Sequence, residues 1–176
     1  MNKFEELIDL AAEKSLPPVH LWQPEREGKI DIHIDARGDW YHEGDPITRQ
    51  ALVDLFATIL RKDGADYYLV TPVEKLRITV DDVPFMAVDM EVRGEGGSTD
   101  LLFTTNVGDI VMADAEHPIE MRGEKPYLMV RDGLDAKLTR SVFYRLVDEG
   151  LEEPDGNKNA LVVYSQGARF ALGAIE

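Results

Sequence analysis

The chain has 176 residues, 44% of them hydrophobic, which is enough for one domain or two small ones with buried cores. Its formal net charge of −15 argues against a nucleic-acid polymer as partner, because such affinity comes largely from Lys and Arg side chains that neutralise phosphates. No apolar run approaches the roughly 20 residues of a membrane span, the first residues lack the pattern of a secretory signal, and cysteine is absent. We therefore predict a cytoplasmic protein that does not contact membranes.

The first predicted elements are a short helix and a hairpin. Asn2 and Glu5 form a capping box for a helix that ends before Pro18. Apolar and polar residues alternate from Ile30 to Asp35, which predicts a strand with one buried face. A turn then leads into a second strand at Trp40–His42.

A longer helix is predicted after this hairpin. Asp45 suits its N-cap, Pro46 suits its first position, and the apolar residues that follow have helical spacing. Arg61 and Lys62 suit the last turn of this helix, and Gly64 suits the cap beyond it.

The rest of the chain alternates between strands and turns, with one more helix. A helix is predicted from Thr139 to Glu149, and Gly150 caps it. The strands before this helix suggest an antiparallel meander, and those after it form a closing hairpin. The predicted strands cover residues 67–71, 76–80, 86–92, 101–105, 110–113, 127–131, 161–164 and 169–172.

The two longer helices carry the same sequence pattern. Ile47-Thr48-Arg49 aligns with Leu138-Thr139-Arg140, and the same offset aligns the apolar stripes of the two helices. We interpret this as a duplication and predict an α+β fold with two related units, each of antiparallel strands around one helix. The predicted units are residues 1–95 and 96–176, with the boundary somewhere between residues 94 and 124.

The sequence contains no recognisable cofactor, metal or catalytic motif. No histidine pair has the HExxH spacing, and Gly94–Ser98 lies between two predicted strands, so it is a hairpin turn and not a phosphate loop. His33 shares a strand face with Asp31 and Asp35, an arrangement that holds a cation loosely and is more often simply solvated. We therefore predict no cofactor and no metal site.

The aligned arginines Arg49 and Arg140 are the first candidate ligand-binding residues. Each lies near a predicted helix N-terminus, where the helix dipole disfavours a cation. One interpretation is a salt bridge, from Arg49 to Asp45 or Glu43 and from Arg140 to Asp135. The other is that guanidinium and helix N-terminus bind one anion together. From sequence alone the salt bridge is the stronger interpretation.

Five segments are similar to an uncharacterised proteobacterial family, the domain-of-unknown-function family twelve-eighty-five. They are Pro17–Trp22, Trp40–Gly44, Leu69–Lys75, Phe103–Asp109 and Val142–Tyr144. The resemblance implies a duplicated α+β core whose C-terminal half is like a pleckstrin-homology fold. It also implies a nucleotide-like ligand at the interface of the halves, a role in signal transduction and no enzyme activity. The candidate residues in these and neighbouring motifs are His42, Glu43, Thr71, Glu74, Lys75, Asn106 and Arg131.

We expect a ligand-binding or sensor protein that holds a small anionic, nucleotide-based ligand between its two units. The alternatives are a small hydrolase that uses His42 and Glu43, and a protein-interaction module that binds through a sheet edge. The sequence is also compatible with a homodimer. Four cations would supply charge and one of two aromatic rings would stack on a base: Arg49, Lys75, Arg131 and Arg140, with Trp40 or Tyr127.

Overall fold

The computed structural model describes residues 16–175, and the chain divides into two compact units, Met1–Pro84 and Phe85–Glu176. The predicted N-terminal helix lies outside the described residues. The α+β class is confirmed, since most described residues lie in strands and, within residues 16–175, each unit contributes one α-helix. Within residues 16–175, no helix combines the length and apolarity needed to cross a membrane.

The described part of the first unit, from residue 16 onward, is a six-stranded sheet with one α-helix. The strand order is β3-β2-β1-β6-β5-β4. Neighbouring strands are antiparallel except β1 and β6, which run parallel, so the expectation of purely antiparallel strands is wrong for this pair. A 3₁₀ turn at Val19–Leu21 precedes the sheet. The elements are β1 (Arg26–Ile34), β2 (Trp40–His42), β3 (Asp45–Pro46), α1 (Gln50–Thr58), β4 (Leu60–Asp63), β5 (Asp66–Val70) and β6 (Glu74–Val80).

The core of this unit lies between α1 and one face of the sheet. The alternation in β1 buries Ile32 and Ile34, as predicted, while the residues between them face outward. Trp40 lies opposite Ile34 in β2, and its ring stacks on Phe56 of α1 with centroids 6.4 Å apart. The inner face is completed by Leu69, Leu76 and Ile78, all buried.

The structure corrects both ends of the predicted first helix. Asp45–Pro46 does not begin the helix but pairs with β2 as the edge strand β3, a position where proline's missing N–H is tolerated. The helix begins at Gln50, with Arg49 at the N-cap position. At the other end, Arg61 and Lys62 lie in β4, and Gly64 (φ +62°) forms the turn into β5. At this end, the pairing of β4 with β5 outweighs the local sequence preference for a helix.

The second unit has a six-stranded sheet and a three-stranded sheet. The strand orders are β10-β11-β12-β7-β8-β9 and β13-β14-β15, and β12 runs parallel to β7. The elements are β7 (Phe85–Arg93), β8 (Asp100–Thr105), β9 (Ile110–Met112), β10 (Ile119–Arg122), β11 (Lys125–Arg131), β12 (Leu134–Leu138), α2 (Arg140–Asp148), β13 (Leu151–Asp155), β14 (Lys158–Ser165) and β15 (Ala168–Ile175). The division of the chain therefore lies before β7, because β7 pairs with β8 and β12, and not after residue 95 as predicted.

A β-bulge in β7 changes which residues face the core. The sequence alternation placed Met86 and Val88 on one face with Met90. Instead Ala87 and Met90 are buried and Val88 is exposed, because the register with β8 shifts between Ala87 and Asp89. Arg145 of α2 holds the bulge: its guanidinium lies 2.8 Å from the Asp89 carboxylate and donates to the carbonyl of Met90.

The duplication is confirmed, and the repeated segment includes strands on both sides of each helix. Strands β1 to β3 precede α1 and β4 to β6 follow it, while β10 to β12 precede α2 and β13 to β15 follow it. In each copy the first strand lies beside the last, β1 beside β6 and β10 beside β15. The second helix lies within its predicted range, but Thr139, predicted as its first residue, is its N-cap: the Thr139 hydroxyl accepts from the Val142 amide at 3.3 Å. Strands β7 to β9 are the addition that distinguishes the second unit.

Phe56→Ala tests the core of the first unit. Phe56 is fully buried, and truncation of such a ring leaves a cavity that costs about 3–5 kcal/mol. We expect the unfolding midpoint of this unit in urea, followed by tryptophan fluorescence, to fall accordingly. Gln50→Ala, at an exposed position of the same helix, should change stability by at most about 0.5 kcal/mol. Equal midpoints for the two variants would contradict this packing.

Candidate functional site

The aligned arginines lie at corresponding helix starts but make neither predicted salt bridge. Arg49 is at the N-cap of α1 and Arg140 is the first residue of α2; both are exposed. Among residues 16–175, no ion pair within 4.0 Å links Arg49 to Asp45 or Glu43, or Arg140 to Asp135. Asp135 instead accepts from Arg122 at 2.7 Å. The salt-bridge interpretation is therefore wrong, and the anion interpretation stays a prediction.

His42 and Glu43 form part of a tight turn and not a proton-transfer pair. Glu43 has φ +52° and Gly44 has φ +83°, the backbone angles of a two-residue hairpin turn between β2 and β3. The amide of Glu43 donates to the carbonyl of Asp31. The His42 ring is 3.8 Å from the Glu43 carboxylate, which is 74% exposed, so the pair is outside hydrogen-bond reach. This geometry does not favour the hydrolase alternative.

Trp40 and Thr71, two other predicted binding residues, are buried. Trp40 is 2% exposed, and its ring is part of the core, so it presents no face to a base. Thr71 is 1% exposed, and its hydroxyl accepts from the amides of Val73 and Glu74, closing the turn at the start of β6. Both residues have structural roles, although within residues 16–175 the buried Nε1 of Trp40 has no hydrogen-bond partner.

Lys75 belongs to an ion-pair network on the outer face of the first sheet. Its ammonium lies 2.9 Å from Asp63, 3.5 Å from Glu27 and 4.3 Å from the centre of the Tyr68 ring. Hydrogen bonds from Arg61 and then from Lys75 outweigh burial and hold the pKa of Asp63 below its ordinary value. The hydrogen bond with Asp63 in turn raises the pKa of Lys75. The charge of Lys75 is thus neutralised within the fold.

Arg61 links this network to the first residues that the structure describes. Its Nη1 donates to the carbonyls of Val19 at 2.8 Å and Trp22 at 2.7 Å, while Nε and Nη2 both bond Asp63 at 2.9 Å. The segment Pro17–Trp22 is therefore fastened to β4. Sequence reasoning missed this role because it placed Arg61 in a helix; in a strand, Arg61 and Asp63 share a face.

In the second unit, Asn106 fixes a turn. Its Oδ1 accepts from the amide of Met86 at 3.0 Å, and its own amide donates to the carbonyl of Met86 at 2.9 Å. The hydroxyl of Thr105 accepts from the amide of Asp109 at 3.1 Å. These bonds set the position of Asp109 relative to the start of β7.

Arg131, one of the predicted ligand-binding residues, lies at the end of β11 and lines a cleft. Its guanidinium lies 5.3 Å from the centre of the Phe85 ring and 3.5 Å from Asp109 Oδ2, and its side chain is 18% exposed. The cleft has a volume of about 310 Å³. It is lined by Glu116, His117, Met129, Arg131, Asp132 and Gly133.

His117 brings a second nitrogen-bearing side chain to this cleft. Its Nδ1 lies 3.0 Å from Asp114, which also accepts from the amides of Glu116 and His117. Burial raises the pKa of Asp114, but the His117 ring and these amides together bring it below its ordinary value. The sequence pointed to Arg131 through its motif but gave no signal for His117, because the turn at Asp114 sets the position of its ring.

Tyr127 is covered by a charged neighbour. It is 4% exposed, and the Arg122 guanidinium lies 4.4 Å from the centre of its ring. Arg122 also bonds Asp135 at 2.7 Å and Glu120 at 3.3 Å. The stacking site predicted for Tyr127 is therefore occupied by Arg122 in this structure.

A second cleft, of about 350 Å³, lies in the first unit and is acidic. It is lined by Asp31, His33, Asp35, Tyr41 and Gly44. The Tyr41 hydroxyl donates to Asp35 at 3.1 Å, and His33 bonds Asp81 at 2.8 Å instead of either neighbouring aspartate. Among residues 16–175, no group of three or more His, Asp or Glu side chains is arranged to hold a metal ion.

Asp63→Asn tests the ion-pair network. Because the pKa of Asp63 is depressed in the folded state, its carboxylate contributes stability above the unfolded pKa of about 3.9, and this is lost as pH falls through the folded pKa. We expect the variant to lose about 1–2 kcal/mol at pH 7 in urea unfolding, and less near pH 3. Asp66→Asn, at an exposed position of the same hairpin, is the control. A deficit independent of pH would contradict this assignment.

The chain is similar to proteins of one family along its described length. The DUF1285 N-terminal domain model matches residues 17–83 and the C-terminal domain model matches residues 84–172. The crystal structure of a DUF1285 family protein from Silicibacter pomeroyi DSS-3 is 43% identical, with a TM-score of 0.86, covering 96% of this chain and 95% of that one. One from Shewanella baltica OS155 is 33% identical, with a TM-score of 0.56, covering 67% of this chain and 91% of that one. No curated protein matches. The chain belongs to the DUF1285 family.

Proposed function

We propose that this protein is a ligand-binding sensor whose second unit holds a small anionic ligand at Arg131. One observation carries the proposal: Arg131 lines a cleft, while its ion pair with Asp109 has an N–O distance of 3.5 Å. Closed charge-assisted pairs have distances of about 2.7–2.9 Å. Among the described residues, Asp109 Oδ2 is buried and accepts no hydrogen bond. The pair thus orients the guanidinium at a distance longer than that of a charge-assisted hydrogen bond.

The surroundings of Arg131 suit a carboxylate or phosphate group. The guanidinium fork matches the geometry of either group, and the Phe85 ring holds one side of it in place. Its limited exposure reduces solvent screening, so an anion that reaches it gains more than it would at an open surface. Orientation by Phe85 and Asp109 also reduces the conformational entropy lost on binding.

The other residues that line the cleft indicate which chemical groups a ligand would need. His117 adds a hydrogen-bonding ring, while Glu116 and Asp132 add acceptors that would repel a purely anionic molecule. The ligand we propose therefore carries an anionic group together with hydroxyl or amino donors. The volume of about 310 Å³ is near the lower end of small-molecule sites, which suits a small metabolite. A nucleotide-based ligand and a role in signal transduction remain proposals that rest on the family resemblance.

A thermal-shift screen of phosphate, hydroxy acids, amino acids and nucleotides tests this function. A ligand at 100 times its Kd should stabilise the protein by about 2.7 kcal/mol. Arg131→Gln should abolish the shift, measured against the melting temperature of that variant without ligand. Arg131→Lys, which keeps the charge but loses the fork, should weaken it.

Arg93→Gln is the matched control, since Arg93 is an exposed arginine of the same unit whose pair with Glu91 is open to solvent. It should leave the ligand-induced shift unchanged. The proposal fails if no anion in the screen raises the melting temperature, or if Arg131→Gln responds as fully as the unmodified protein.

A further inference from the structure

A line of cationic and aromatic side chains crosses four neighbouring strands of the first unit. Arg61 of β4 is in register with Tyr68 of β5, Tyr68 with Arg77 of β6, and Arg77 with Lys29 of β1. Register partners project to the same face of a sheet. We call these four residues the basic row. At about 4.8 Å per strand, the row is roughly 14 Å long.

The basic row lies on the face of the sheet opposite the core. The residues that alternate with it, Leu69, Leu76 and Ile78, are buried against the inner side. Lys29 and Arg77 are exposed, and Tyr68 is half-buried. The open part of the row is therefore its Lys29–Arg77 end, because the Arg61 side chain is 15% exposed and the Lys75 ammonium lies over the Tyr68 ring.

Two of the cations on this face are satisfied within the fold and two are not. Arg61 and Lys75 share the Asp63 carboxylate. Among residues 16–175, neither Lys29 nor Arg77 has a carboxylate within 4.0 Å. Like charges directly opposite each other on neighbouring strands are destabilising, so folding alone does not explain this pair.

The carboxylates near the row do not neutralise Lys29 and Arg77. Glu27 is in register with Lys75 and lies 3.5 Å from its ammonium, while Asp66 is in register with Asp63 at the far end of β4 and β5. Asp31 follows Lys29 in β1 but lines the acidic cleft. In a chain of net charge −15, two adjacent cations with no carboxylate partner among residues 16–175 form a distinct surface.

We propose that the basic row is a docking surface for a short acidic segment of a partner protein. Carboxylates on alternate residues of an extended segment project to the same face about 6.6 Å apart, so two of them reach Lys29 and Arg77, while the residue between them faces away from the sheet. The net charge of −15 disfavours a long polyanion such as a nucleic acid, whose remaining phosphates would meet the acidic surface. A segment a few residues long contacts the row alone.

The test uses a fluorescein-labelled peptide of about four residues with the pattern Glu-Ser-Glu-Ser, which at roughly 3.3 Å per residue does not exceed the length of the row. Fluorescence anisotropy with the full chain in about 0.1 M salt reports binding. We expect Lys29→Gln and Arg77→Gln each to lower the affinity about tenfold, because each removes a charge-assisted hydrogen bond. Their melting temperatures should stay unchanged or rise, since the repulsion between the two cations is relieved.

Arg26→Gln is the matched control, because Arg26 is an exposed cation of the same strand whose register partner, Glu74, lies on the opposite face. It should bind the peptide as the unmodified protein does, and so should Arg131→Gln, which separates this surface from the cleft in the second unit. The proposal is overturned if Arg77→Gln binds with unchanged affinity, if Arg26→Gln loses as much, or if single-stranded DNA of similar length binds as tightly.

Discussion

The parallel pairing of β1 with β6 is the constraint on which the first unit depends. It joins the first and last strands of the repeat, so that the hairpin before α1 and the meander after it form one sheet with the helix on its inner face. The pairing requires close approach: a Cβ added at Gly28 would lie 3.2 Å from Leu76 Cδ2. It also sets Lys29 opposite Arg77, so a surface feature follows directly from the closure of the fold.

The same arrangement of strands and helix carries different electrostatics in the two units. In the first, Arg61 and Lys75 converge on Asp63 and fasten the segment Pro17–Trp22 to the sheet. In the second, the added strands supply Phe85 and the turn that carries Asp109, and these hold Arg131 at a cleft. The shared frame accounts for the matching sequence patterns, while the candidate sites come from residues outside that match.

The sequence predicted what depends on local periodicity and capping. The alternation in β1, the position of α2 and the duplication all follow from neighbouring side chains. It failed where a distant strand outweighs a local signal: Asp45–Pro46 suits a helix start but pairs with β2, and the bulge at Asp89 is held by Arg145 from α2. Arg131 was found through its motif, but its neighbours Phe85 and Asp109 are distant in sequence.

The acidic field of the chain affects both proposed sites in the same way. A net charge of −15 favours exposed cations such as Lys29 and Arg77, because the surrounding potential is negative. The same potential repels an approaching anion at distances greater than about 10 Å unless salt of roughly 0.1 M screens it. Only short-range contacts then offset the repulsion, namely the guanidinium fork of Arg131 or the paired cations of the basic row. Each proposed site would therefore select ligands by close geometric fit and not by charge alone.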